Sequence, residues 1–123
     1  MLTLRSDDVY DILVIECEGL LEGGEPGTDL RAEVVSHYDA SAIVLDLSRV
    51  YAIGDGGTAL LIMLQRWARE RDIRFKIFNP TISVLYRLQT ASSMSPFEIA
   101  TLDEIMALTA VPRPDRHYFQ HAA

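Results

Sequence analysis

Ala42-Ile43-Val44-Leu45-Asp46-Leu47 does most to limit what this chain can fold into. A nearly unbroken apolar run of this kind fits a strand buried on both faces, the place of a central strand in a parallel or mixed sheet. Ile73 to Phe78 reads as a second buried strand, and a long amphipathic stretch ending at Arg71 lies between the two. Strand, helix and strand in that order make a crossover unit, right-handed by the twist of its strands. The class expected is therefore α/β, with helices layered on a short mixed sheet.

The flanks supply the other elements. Val9 to Glu16 reads as a strand, preceded by Leu2 to Arg5, with the two joined as a hairpin through Ser6-Asp7-Asp8. From Gly19 to Gly27 four glycines and a proline fall in nine residues, which predicts a mobile loop. Thr28 or Asp29 caps a first helix over 28–38, striped by Leu30, Val34, Val35 and Tyr38. Thr81 caps a third helix with Ile82, Val84, Leu85 and Leu88 as its apolar stripe, and Pro96 to Ala100 forms a short last strand. Thr101 and Glu104 make a capping box for a final helix from Leu102 to about Ala110. Pro112 and Pro114 stop that helix. The expected order is β-β-α-β-α-β-α-β-α in one domain over residues 1–111, with 112–123 as a loose tail.

Charge and composition exclude several functions. The net charge is −7, and residues 1–61 hold 12 acids against 3 bases. That balance argues against a phosphate-backbone binder, so no nucleic acid partner is expected. The longest wholly apolar run, Ala59 to Leu64, is far short of the ~20 residues of a membrane-spanning helix. The first residues lack the pattern of a signal peptide, so no membrane insertion and a cytoplasmic location are expected. Cys17 is the single cysteine, which removes an internal disulfide and a Cys-based zinc site. His117 and His121 are four apart but follow two prolines, and read as tail rather than as metal ligands. His37, at the end of the first helix, reads as a partner of the helix dipole. No nucleophile–base pair emerges from spacing, and no cofactor is expected.

In the second helix, at roughly 100° per residue, Gly57, Leu60, Leu61, Leu64, Trp67, Ala68 and Arg71 fall within about 60° of one direction, the width of a core-facing stripe. Ile62 falls about 160° away, beside Thr58, Ala59, Arg66 and Arg69, and is expected to be exposed.

The stretch Ile43-Val44-Leu45-Asp46-Leu47-Ser48-Arg49-Val50-Tyr51-Ala52-Ile53-Gly54-Asp55-Gly56-Gly57-Thr58-Ala59-Leu60-Leu61 resembles the signature of STAS domains, the family of sulfate-transporter tails and anti-sigma factor antagonists. The family pattern is a strand ending in Asp-Leu-Ser, a Val, and Asp-Ser-Ser-Gly opening a helix. Phe78-Asn79-Pro80-Thr81-Ile82-Ser83-Val84, Leu88-Gln89-Thr90-Ala91, Phe97-Glu98-Ile99 and Gly19-Leu20 continue the likeness, which spans roughly residues 8–110. Aligned on Val50 and Gly57, the pattern puts Gly54 on the family's Asp, Asp55 on its first Ser, and Gly56 on the Ser or Thr that a partner kinase phosphorylates. Glycine has no hydroxyl, so the resemblance implies that this switch is missing.

The resemblance implies a STAS-like layered fold and a non-enzymatic regulator of transcription working by partner switching. Its docking patch would hold Gly54, Asp55, Gly56, Gly57, Thr58, Ile62, Met63 and Arg66, with Met63 as an adaptable contact. The partner implied is an anti-sigma factor or a serine-kinase-like protein. A second reading is a subunit docked on a transporter ATPase of the lipid-transport type. The chain itself is expected as a monomer or weak dimer. Asp55 admits two roles, a helix N-cap or a permanent charge imitating a phosphorylated state. Thr58 reads either as a displaced phosphoacceptor or as a residue that caps or faces solvent. A lesser alternative is a receiver-like domain phosphorylated on Asp46, with Glu16 and Glu18 as its acids. Lys76, the only lysine, lies inside a strand and fits that reading poorly.

Overall fold

The central strand runs further than its apolar core. In a computed structural model that describes residues 2–22, 24–91 and 96–109, it spans Ala42–Ile53 and is the third strand, β3. Before it come β1 (Leu2–Val9), β2 (Ile12–Leu21) and helix α1 (Gly24–Val35). After it come α2 (Asp55–Glu70), β4 (Arg74–Phe78), α3 (Ile82–Ala91), β5 (Glu98–Ala100) and α4 (Leu102–Thr109). The strands form one mixed sheet in the order β1-β2-β3-β4-β5, with β1 antiparallel to β2 and every other pair parallel. The element order and the central place of β3 are those expected from the sequence.

The alternation of side chains along the strands builds a separate core on each face of the sheet. On one face Leu13, Ile15, Ile43, Leu45, Phe75 and Ile77 pack with Leu30 and Val34 of α1, Leu61 and Leu64 of α2, and Val84 and Leu88 of α3. On the other, Ile12, Ala42 and Val44 meet Leu108, with Ile105, of α4. Helix α4 opens with the expected capping box. The Thr101 N–H donates to Glu104 Oε1 at 2.8 Å, and the Glu104 N–H donates to Thr101 Oγ1 at 3.1 Å. The bond from the Thr101 backbone holds the Glu104 carboxyl below its ordinary value. Burial pushes the Cys17 thiol up to about 12, so it is inert at neutral pH. The expected tail and the His117–His121 pair lie outside the described residues.

Five local expectations are corrected. The hairpin turns at Tyr10-Asp11, not at Ser6-Asp7-Asp8, because Val9 pairs with Ile12 and Tyr10 takes a positive φ of 60°. Ser6, Asp7 and Asp8 stay in the strand, where their exposure leaves polar groups solvated. Most of the stretch 19–27 lies in regular elements rather than a loop: β2 runs on to Leu21, paired with Ile53, and α1 starts at Gly24 and ends at Val35. Tyr38, expected in the stripe of α1, lies beyond its end and is exposed. Gly27 is buried where α1 meets α2, since a Cβ there would sit 3.1 Å from Leu60 Cδ2 and 3.0 Å from the Glu22 carbonyl oxygen. In α3, Ile82 is 87% exposed rather than core. Arg71 is likewise outside the stripe of α2, exposed and stacked 4.8 Å over the Trp67 ring.

His37 follows α1, as the dipole argument requires. Its Nδ1 lies 2.9 Å from the Glu33 carbonyl oxygen and its Nε2 3.5 Å from Asp8. The bond to the Glu33 backbone, followed by the charges of Asp8 and Glu33, raises its pKa above 6.5. A raised folded-state pKa gives stability that is complete below the unfolded value and is lost as pH rises through the folded one. The wild type should therefore melt above a His37→Gln variant at about pH 5.5, with the gap closing by about pH 8. Thermal scans across that range check it.

Candidate functional site

The long β3 delivers the chain to the head of α2 beside the end of β2. Gly54 is the N-cap, with extended backbone at φ −93° and ψ −178°. Its N–H donates to the Leu21 carbonyl at 3.0 Å, and its own carbonyl accepts the N–H and the hydroxyl of Thr58, both at 2.9 Å. A Cβ on Gly54 would collide with the Glu22 carboxylate, and one on Gly57 with the Leu21 carbonyl oxygen. The Glu22 side chain can swing aside but the Leu21 carbonyl cannot, so it is glycine at 57 that lets β2 and α2 close on each other. The Glu22 carboxylate lies against the helix head, where the positive end of the dipole favours it.

Asp55 does not cap the helix. Gly54 holds the cap position and no side chain bonds there. Asp55 is already helical, and its exposed carboxylate accepts a hydrogen bond from Arg87 Nη2 of α3 at 2.6 Å. Thr58 is not a solvent-facing hydroxyl either: it is 6% exposed, with its O–H turned back on Gly54. Ile62, expected to be exposed, is half-buried. Gly56, Met63 and Arg66 are exposed. Met63 also lines a groove of about 150 Å³ between the two helices, shared with Gly24, Gly27, Thr28, Arg31 and Leu60.

A neighbouring surface on α3 lies beside the head of α2. Thr81 Oγ1 donates to the Val50 carbonyl at 3.5 Å and accepts the Val84 N–H at 3.4 Å, so α3 starts beside the end of β3. Ile82 and Tyr86, one turn apart, and Tyr51 on β3 are all exposed. Arg87 of the same helix ties this surface to the head of α2. A signal for it was present. Val84 and Leu88 fix the buried side of α3, and at roughly 100° per residue Ile82 and Tyr86 fall about 160° from Val84.

No protein-family profile and no curated protein matches the sequence. Solved structures do match. The anti-sigma factor antagonist SpoIIAA in its unphosphorylated form aligns at a TM-score of 0.72 and 20% identity, covering 90% of this chain and 100% of that one. An anti-sigma factor antagonist from Mycobacterium paratuberculosis aligns at 0.62 and 19%, covering 90% and 96%. The fold is STAS-like. A serine-to-glutamate variant of RsbS from Moorella thermoacetica agrees, at 0.67 and 14%, covering 87% and 95%.

Within this STAS-like fold, Asp46 lies in the middle of β3 with Oδ1 accepting the Ser48 N–H at 2.9 Å. Lys76 is paired with Glu98 at 2.7 Å. Glu16 is the register partner of Asp46 on β2. A receiver-like site needs its carboxylates and lysine converging on one cation; here the lysine is engaged on the opposite strand. Among the described residues no cluster of three or more His, Cys, Asp or Glu could hold a metal, and no helix is long and apolar enough to cross a membrane.

Proposed function

We propose that this chain is a non-catalytic, protein-binding regulator of the anti-sigma factor antagonist type, docking through the head of α2 and unable to be switched by phosphorylation at Gly56. The observation that carries this reading is the make-up of that surface. Backbone at Gly54 and at the exposed Gly56 and the Asp55–Arg87 pair stand at the head of α2, with exposed apolar groups at Ile82 and Tyr86 on the helix that carries Arg87 and at Met63 further along α2. Aromatic, methionine and arginine side chains are what a protein interface enriches. Gly56 is exposed one residue into the helix, so a serine there would present its hydroxyl to solvent. Asp55 carries one charge, and that charge is paired with Arg87, which favours a fixed contact over an imitation of phosphate.

The test is affinity capture from the native host with wild type beside Met63→Asp and Ile82→Asp. Both positions are exposed, so melting temperatures should stay within a few degrees of wild type. A serine-kinase-like protein retained by the wild type and lost by the variants supports the reading. The captured kinase should then transfer the γ-phosphoryl group of ATP to a Gly56→Ser variant and leave wild type unmodified. A transporter ATPase in its place would make the chain a docked transport subunit. Equal retention by all three proteins would move the interface elsewhere.

A further inference from the structure

The strand β1 lies at the edge of the sheet, and among the described strands only β2 pairs with it. Such an edge presents a row of unpaired N–H and C=O groups, a template for another strand. Its register with β2 sorts its side chains. Leu4, Ser6 and Asp8 stand opposite Cys17, Ile15 and Leu13, on the face of α1 to α3. Arg5, Asp7 and Val9 stand opposite Glu16, Val14 and Ile12, on the face of α4. Asp8 is engaged by His37 at 3.5 Å, and among the described residues Arg5 is paired with Glu16 at 3.8 Å.

We infer that β1 pairs antiparallel with β1 of a second copy of this chain, about a two-fold axis through Ser6, joining two five-stranded sheets into one. Directly opposed residues in an antiparallel pair share a face. For an eight-residue strand, only two two-fold registers keep the faces matched and pair seven residues. One centres on Arg5 and sets two arginines against each other. The other centres on Ser6 and sets Arg5 against Asp7 at both ends of the axis, with Thr3 against Val9 beyond them. Like charges directly opposite destabilise a pair, whereas opposite charges and β-branched neighbours stabilise one. On the α4 face the row then reads Glu16, Arg5, Asp7 and Val14, alternating in sign across the junction. The charged edge thus excludes the wrong register and admits one partner strand.

Charge reversal tests this with the whole chain. Sedimentation across a concentration series should show the wild type dimerising, and more weakly as salt rises. Arg5→Asp makes both positions acidic and Asp7→Arg makes both basic, so each variant alone should dissociate at least about tenfold more readily. Mixed in equal amounts the two should form a heterodimer, because positions 5 and 7 are again opposed by charges of opposite sign. Both positions are exposed, and unchanged melting temperatures will exclude unfolding as the cause. A wild type still monomeric at about 1 mM overturns the proposal. Protected β1 amides in that monomer would show that another part of the chain covers the edge. Dimers that survive in both single variants, or variants that fail to associate on mixing, would also overturn it.

Discussion

A Gly57→Ala variant is expected to lose about 3 kcal/mol of stability, a drop in Tm on the order of 10 °C for a chain of this size. The cause is one contact. The Cα of Gly57 passes so close to the Leu21 carbonyl that an added methyl would overlap the oxygen, with Ile53 Cγ1 at 3.0 Å on the next side. A flexible side chain would give way, but a backbone carbonyl at the end of β2 cannot. It is fixed by the N–H of Gly54 at 3.0 Å and by the pairing of Leu21 with Ile53. Relief requires sliding the first turn of α2 off the sheet, which disturbs Leu60 and Leu61 behind it. Gly56→Ala is the control. It lies next door on the exposed side of the same turn, where alanine's helix preference should leave stability unchanged or raise it by up to about 1 kcal/mol. Denaturant unfolding of the two variants separates them, and equal losses would show that the cost does not come from the Leu21 contact.

The same contact explains why the fold was legible and part of the site was not. Ala42 to Leu47 and Ile73 to Phe78 read as buried strands because burial on both faces leaves no polar positions, a signal internal to each segment. Gly57 resembles a family glycine in the sequence, but its physical need is set by the Leu21 carbonyl, which lies on another strand. The glycines at 19, 24 and 27 look like a loop when read locally. Pairing of Leu20 and Leu21 with β3, and close approach of α1 to Leu60, turn them into parts of regular elements. The expectation that Asp55 caps the helix failed for a similar reason. A residue earlier, Gly54 already had the extended backbone of a cap, and Arg87, 32 residues away, drew the carboxylate outward. Thr58 turned inward because its hydroxyl has an acceptor in Gly54, which makes burial of a polar group affordable in a helix.

The Lys76–Glu98 pair should respond unequally to the removal of its two ends. Lys76 is inside β4, with a side chain 8% exposed, while its partner's carboxylate is 64% exposed. Glu98→Gln leaves the ammonium in place and takes away its counter-charge. A loss of about 1 to 3 kcal/mol is expected, below the figure for a fully buried pair because water screens the carboxylate. Lys76→Met removes the buried charge with a side chain of similar length and should be neutral or stabilising. In the Lys76→Met background the Glu98→Gln change should then cost little, since nothing charged remains to be orphaned. The consequence reaches beyond the pair. Strand β5 holds to β4 through only three residues, Glu98 to Ala100, and α4 follows it directly across the second face of the sheet. Losing the tether should therefore loosen β5 and α4 before the central strands, seen as faster amide exchange at Ile99 to Leu108 than at Ile43 to Leu47. Uniform acceleration across both segments would mean that the pair stabilises the whole sheet instead.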